Sequence, residues 1–175
     1  MALSACVSLD DSTVIVGGED CNIHVYSVDH SLTSLVLEEV RVLEGGHLKP
    51  IHSLALSADD HLASADVRDV CIWNVADGYS PVIGKSRWCF HTQRIACLAW
   101  SPDGSILASG GNDDSIYLWS LSKKTKRVHY PFAHRGGVSG LVFLPNKGGK
   151  VLLSLGADGC ANQWDVNDDV ASKFS

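Results

Sequence analysis

Residues 91–121 read HTQRIACLAWSPDGSILASGGNDDSIYLWSL. Three segments inside this stretch, RIACLAW (94–100), ILASG (106–110) and SIYLWSL (115–121), alternate apolar and polar side chains with the two-residue period of a β-strand. SPDG separates the first two and GNDD the last two, and Pro, Asp, Asn and Gly supply the backbone angles that a reversal requires. The same order recurs on both sides. His91 has counterparts in His47 and His134, 44 and 43 residues away, and Trp119 has counterparts in Trp73 and Trp164, 46 and 45 away. Tyr26 stands 47 residues before Trp73 in a matching context. Four residues after each His comes a β-branched anchor, Ile51, Ile95 or Val138, followed by strands IHSLAL or VSGLVF, HLAS or VLLSLG, and DVCIWNV or CANQWDV. No stretch sustains a 3.6-residue apolar period over three turns, so almost no helix is expected. The repeating unit is a short antiparallel meander.

Composition narrows the function classes. The 175 residues carry 14 basic and 20 acidic side chains, a formal charge of -6, which gives no general attraction to nucleic acid or to an anionic membrane. No apolar run reaches the roughly 18 residues of a membrane span. The opening MALSACVSLDDS has no Lys or Arg ahead of its short apolar stretch, so it lacks the charged start of a secretory signal, and an intracellular location is expected. Six cysteines (Cys6, Cys21, Cys71, Cys89, Cys97, Cys160) include no C-x-x-C pair and read as free thiols in a reducing compartment. His24, His30, His52, His61 and His129 show no H-x-x-x-H spacing, so neither metal nor cofactor is expected. GGED and GGND are strand-to-strand turns rather than phosphate cradles at a strand-to-helix junction.

His91, Ser109 and Asp113, and again His134, Ser154 and Asp158, have the composition of a nucleophile, base and orienting carboxylate. Repetition argues against a hydrolase. In both sets Ser precedes Asp by 4 residues and Trp by 10, and neither serine sits in a G-x-S-x-G elbow. The second repeat keeps His47, Ser64 and Trp73, but Ser and Trp are 9 apart, and neither Asp66 nor Asp69 falls at the matching position. In the first repeat Asp20 lies six before Tyr26, as Asp113 lies six before Trp119, but Val16 stands where the serine belongs. The first two repeats are therefore expected to be looser than the last two.

A period in the low to mid forties, with a His before the first strand and Trp-Asp or a degenerate form at the end of the third, is the signature that this chain shares with WD-repeat β-propellers. Trp164-Asp165 is the literal dipeptide, and Trp73-Asn74, Trp119-Ser120 and Tyr26-Ser27 are drifted forms. The resemblance implies an all-β chain of about four blades, each a four-stranded antiparallel meander, with repeats at about 1–42, 43–86, 87–130 and 131–166 and a polar tail at 167–175. It also implies that His47, Ser64 and Trp73, His91, Ser109, Asp113 and Trp119, His134, Ser154, Asp158 and Trp164, together with Asp20, form a structural hydrogen-bond network. WD-repeat rings usually have seven blades. Four are thus expected to be part of a larger ring, with the remaining blades in a longer parent chain and with the isolated chain unstable or self-associating.

VADGYS (75–80), IACLAWSPDG (95–104), ASGGNDDSIYLWSL (108–121) and AHRGGVSGLVF (133–143) resemble the C-terminal repeats of the actin-interacting protein 1 family, in register from about residue 5 to residue 166. The short turn at 65–69, the GKSRWCF segment around Trp88 and the tail NDDVASKFS depart from it. The resemblance implies a cytosolic, non-enzymatic protein of the actin cytoskeleton, with actin filaments and cofilin as partners and no cofactor. A generic WD-repeat adaptor in another complex is the alternative.

Two surfaces are candidates for partner contact. Lys123, Lys124, Lys126 and Arg127 place four cations within five residues, suited to an acidic partner. On the opposite rim stand Arg94, Asn112 and Arg135, beside the first strand and the second turn of their repeats. Trp88 lies outside the repeated tryptophan series and suits either an exposed anchor or the packing of an outermost strand.

Overall fold

The computed structural model describes residues 1–29, 36–147 and 151–166. Among the described residues fifteen strands in chain order make four antiparallel sheets, each a plain meander. The first holds β1 (Ala2–Val7), β2 (Thr13–Gly18), β3 (Ile23–Asp29) and β4 (Val36–Leu43). The second holds β5 (Ser53–Leu56), β6 (His61–Ala65), β7 (Val70–Asn74) and β8 (Ser80–Trp88). The third holds β9 (Ile95–Trp100), β10 (Ile106–Gly111), β11 (Ile116–Ser120) and β12 (Arg127–Tyr130). The fourth holds β13 (Val138–Phe143), β14 (Val151–Gly156) and β15 (Ala161–Asp165), three strands among the described residues, and the polar tail at 167–175 lies outside these. A 3-10 turn at Pro145–Lys147 is the one helical element among the described residues.

The first turn of each of blades 1 to 3 is built by side chains that imitate backbone. Ser8 and Ser12 hydroxyls donate to Asp10, Ser101 and Ser105 hydroxyls donate to Asp103, and the Ser57 hydroxyl accepts from the amides of Asp59 and His61. Asp11, Asp60 and Gly104 close these turns at φ 57, 56 and 67°.

Successive sheets pack face to face with their first strands side by side, β1 against β5, β5 against β9 and β9 against β13. This radial order is that of propeller blades, and each joint has its own core. Ile15, Ile23 and Val25 of blade 1 meet Ile51, Leu62 and Trp73 of blade 2. Ala65, Val70 and Ile72 of blade 2 meet Ile95, Leu107 and Trp119 of blade 3. Ala108, Ile116 and Leu118 of blade 3 meet Val138, Phe143 and Leu152 of blade 4. The anchors Ile51, Ile95 and Val138 are 0, 0 and 1% exposed, each worth roughly 1.5–3 kcal/mol of burial. A blade has a back face turned to the blade after it and a front face turned to the blade before it. The histidine relays lie on the front faces.

Candidate functional site

In blade 3, Trp119 Nε1–H donates to Ser109 Oγ at 2.9 Å, and Ser109 Oγ lies 2.9 Å from His91 Nε2. His91 Nδ1 lies 2.9 Å from Asp113 Oδ1. Blade 4 repeats the chain from Trp164 to Ser154 (2.8 Å), His134 (2.7 Å) and Asp158 (3.0 Å). Donor accounting sets the proton positions. Indole N–H only donates and an ionised carboxylate only accepts, so the serine hydroxyl, which accepts from the indole, donates its O–H to Nε2, and Nδ1–H points to Asp. Burial pushes the Asp113 carboxyl up, but the bonds from His91 and the amides of Thr92 and Ser115 outweigh it and hold the group below the usual carboxylate range. For Asp158 the amide of Cys160 leads, opposed by desolvation and joined by His134 and the Arg135 amide, with the same direction.

Blade 2 has the complete relay, which corrects the sequence reading. Trp73 Nε1–H reaches Ser64 at 2.9 Å, Ser64 lies 2.7 Å from His47 Nε2, and His47 Nδ1 lies 3.0 Å from Asp66. The register explains how. The Ile51 amide bonds the Gly18 carbonyl, and the Ile95 amide bonds the Asp66 carbonyl, so Asp66 occupies the backbone position of Gly18, which is that of Gly111 in blade 3. A Cβ on Gly111 would stand 2.5 Å from His91 Nδ1 and 2.6 Å from Asp113 Oδ1. At that position a side chain points straight at the histidine, so Asp66 reaches from Gly111's place what Asp113 reaches from the loop. The turn is shorter to match: Asp66 N–H bonds Asp69 O where Gly111 N–H bonds Ser115 O. Amides of Arg68 and Asp69 satisfy the other carboxylate oxygen, both at 2.8 Å. Burial raises the Asp66 carboxyl, and His47 and these two amides bring it below its ordinary value. The expected looseness of blade 2 thus loses its basis.

In blade 1, Asp20 is not part of such a relay. Its carboxylate meets His24 Nε2 at 3.0 Å and the Asn22 side chain at 3.1 Å, while His24 Nδ1 meets Glu39 at 2.9 Å. Val16 pairs with His24 just as Ser109 pairs with Tyr117, so the serine site is filled by an apolar side chain.

The relays offer no site for acyl transfer. Ser64, Ser109 and Ser154 are each 0% exposed. Among the described residues no group of three His, Cys, Asp or Glu is placed to hold a metal ion, and no helix is long and apolar enough to cross a membrane. All six cysteines are free, and burial pushes the Cys6 thiol to about 11 and Cys71 and Cys97 to about 12, far from a reactive thiolate.

Trp88 is packing, not an exposed anchor. It is 2% exposed, stacks on Trp119 at 5.1 Å between ring centres, and donates Nε1–H to the Lys124 carbonyl at 2.9 Å. The outer strand of blade 2 is thereby tied to the β11–β12 loop. Lys123, Lys124 and Lys126 are exposed on that loop, and Arg127 is exposed at the start of β12. The Arg127 guanidinium lies 3.4 Å above the Phe90 ring centre, a cation–π contact that sequence spacing does not reveal. Arg87, Trp88, Phe90, Lys124 and Arg127 border a groove of about 290 Å³. On the other rim the Asn112 amide bonds the Arg94 carbonyl at 2.9 Å, and Arg135 follows the relay histidine of blade 4; both arginines are exposed.

Comparison with known proteins agrees with this geometry. The WD40 family (WD domain, G-beta repeat) matches residues 85–120. The "66 kDa stress protein" of Physarum polycephalum is 34% identical over 93% of this chain and 26% of its own length. "WD repeat-containing protein 1" of Mus musculus is 37% identical over 88% of this chain and 24% of its own. "Actin-interacting protein 1" of Drosophila melanogaster is 33% identical over 95% of this chain and 26% of its own. The chain thus spans about a quarter of the length of these relatives. A chain in the crystal structure of the mitotic checkpoint complex superposes with a TM-score of 0.71 over 95% of this chain and 49% of that one, at 18% identity, a likeness of fold.

Proposed function

Because the chain is a WD-repeat β-propeller protein whose repeats resemble those of actin-interacting protein 1, we propose that it is a non-enzymatic protein-interaction module of the actin cytoskeleton. In this reading it binds actin filaments in the cytoplasm and supports their cofilin-dependent disassembly. The observation that carries the proposal is the similarity to the Drosophila relative over 95% of this chain. The buried relays support the non-enzymatic part, since each serine hydroxyl already has its tryptophan and histidine partners and faces no solvent. The loop of Lys123, Lys124, Lys126 and Arg127 is the surface assigned to an acidic partner, and the rim of Arg94, Asn112 and Arg135 is the other candidate.

Co-sedimentation with actin filaments, with and without cofilin, tests the proposal. Pelleting that is reduced by Lys123→Glu/Lys124→Glu, together with a cofilin-dependent rise in unpelleted actin, is the expected result. No pelleting in either condition overturns the actin reading and leaves an adaptor role in another complex. Covalent labelling of Ser109 by a serine-hydrolase probe would overturn the non-enzymatic reading.

A further inference from the structure

The groove between β8 and the β11–β12 loop belongs to an internal joint. First strands lie side by side along the radial order, so the fourth strands β8 and β12 stand at its periphery, with blade 1 beyond one wall and blade 4 beyond the other. Blades 2 and 3 alone therefore form its walls. Trp88 brings those walls together across 36 residues of sequence, through its bond to the Lys124 carbonyl and its stack on Trp119.

Charge at this joint is set apart from the rest of the chain. Residues 80–90 and 121–130 hold Lys85, Arg87, Lys123, Lys124, Lys126 and Arg127, six of the 14 basic residues, and none of the 20 acidic ones. All six are exposed, on a chain whose formal charge is -6. Arg127 is also held in place. Its guanidinium lies 3.4 Å above the centre of the Phe90 ring, and that ring packs on Trp119 and Tyr117 at 6.0 and 6.4 Å. Stacking takes up one face of the guanidinium and leaves its in-plane N–H groups, the fork that matches a carboxylate. Among the described residues Arg87, Lys124 and Arg127 form no ion pair. Lys124 Nζ reaches the Val82 carbonyl at 3.5 Å, so the two arginines are the donors left open. Phe90 is 40% exposed and puts an apolar wall beside them.

Resting on the reading of this loop as a partner surface, we propose that the groove receives an extended acidic segment of a partner protein, with one carboxylate gripped bidentately by Arg127 and a neighbouring one met by Arg87. A volume of about 290 Å³ takes the side chains of a short segment rather than a folded surface. Charge complementarity selects an acidic peptide, and the acidic remainder of the chain disfavours a nucleic-acid strand, which would run past the groove. Arg127 sets specificity through its planar fork, which a lysine ammonium lacks.

Fluorescence anisotropy of a fluorescein-labelled peptide of alternating Glu and Ala, titrated with the full chain, tests this. Binding that weakens as salt rises, and that is absent for the same peptide with Gln in place of Glu, is expected. Arg127→Ala weakens it by about tenfold and the charge-conserving Arg127→Lys by about fivefold. Phe90→Leu, which removes the stack but no charge, weakens it as well. Lys49→Ala, a cation lost from an exposed site elsewhere, leaves it unchanged. Arg127 is exposed, so Arg127→Lys keeps the wild-type circular dichroism and melting temperature even where Phe90→Leu does not. No binding of the Glu peptide, equal binding by wild type and Arg127→Lys, or tighter binding of a single-stranded oligonucleotide would each overturn the proposal. Actin pelleting is read separately: peptide binding without pelleting removes the actin reading and keeps the groove, and pelleting without peptide binding does the reverse.

Discussion

The Asp66 carboxylate receives Nδ1–H of His47 at 3.0 Å, with the two side chains 2 and 0% exposed. It does so from a backbone position where blade 3 carries Gly111, so one relay is completed from two different chain positions in neighbouring blades. The corresponding carboxylates of Asp113 and Asp158 are 7 and 23% exposed, which makes the blade 2 pair the most enclosed of the three. Asp66→Ala leaves a buried imidazole and two turn amides without their acceptor. The expected loss is about 3–5 kcal/mol, as for other broken buried pairs, against about 1–2 kcal/mol for Asp66→Asn, which keeps an acceptor oxygen. Urea denaturation of the two variants measures both; equal small losses would show that Asp66 is not part of the relay.

Gly111 is required by volume. With its Cβ position 2.5 Å from His91 Nδ1, Gly111→Ala is expected to lose about 1–3 kcal/mol by overpacking. Gly84, with nothing within 4 Å of its Cβ position, is the matched control, and Gly84→Ala is expected to be neutral. A urea midpoint unchanged in the first variant would refute the packing account.

Acid is expected to unfold the chain through these carboxylates. Asp66, Asp113 and Asp158 are lowered in the folded state, so between the folded and unfolded values the unfolded chain binds more protons. Their stabilisation is complete above the unfolded value of about 3.9 and is lost as pH falls through the folded values. Thermal melts from pH 6 to pH 2 check this. The steepest decline is expected below about pH 4, and Asp113→Asn is expected to flatten it.

His24 gives the opposite sign. Desolvation lowers its value, but the bonds to Glu39 and Asp20 outweigh this, and the group is raised above its ordinary value. The stabilisation is present below about pH 6.5, the unfolded value, and is lost as pH rises through the folded one. The tie between β3 and β4 is therefore expected to weaken on the alkaline side. An imidazole titration by NMR that gives a His24 midpoint below that of a free histidine would contradict this.

Hydrogen exchange is expected to rank the blades by their relays. Amides of 95–120 and 138–165 should exchange more slowly than those of 5–30, where Val16 replaces the serine and Asp20 binds His24 instead. With Asp66 in place, 53–74 joins the slow group. Uniform protection would remove the relay as the cause.

Much of this molecule is legible in the chain itself. The two-residue alternation of IACLAW, ILASG and IYLWS, and the recurrence of His91, Ser109 and Trp119 at fixed spacing, follow from local backbone geometry and turn chemistry, which act over a few residues. Those patterns sufficed for the meanders, for the blade repeat and for the serine, histidine and tryptophan of three relays.

What only the tertiary structure decided is where side chains from different segments meet. Spacing excluded Asp66, because counting along the chain cannot show that, in a turn shorter by one residue, the carboxylate stands on the position that faces His47. Trp88 finds Trp119 across two sheets, and Arg127 finds Phe90 in the segment between β8 and β9. Leu155 and Ala161 look like ordinary apolar strand residues until register pairs them on β14 and β15, where both are exposed. In each case the physical reason is the same. A side chain's direction depends on register, a shift of one residue turns it to the other face, and register across blades is set by packing rather than by sequence distance.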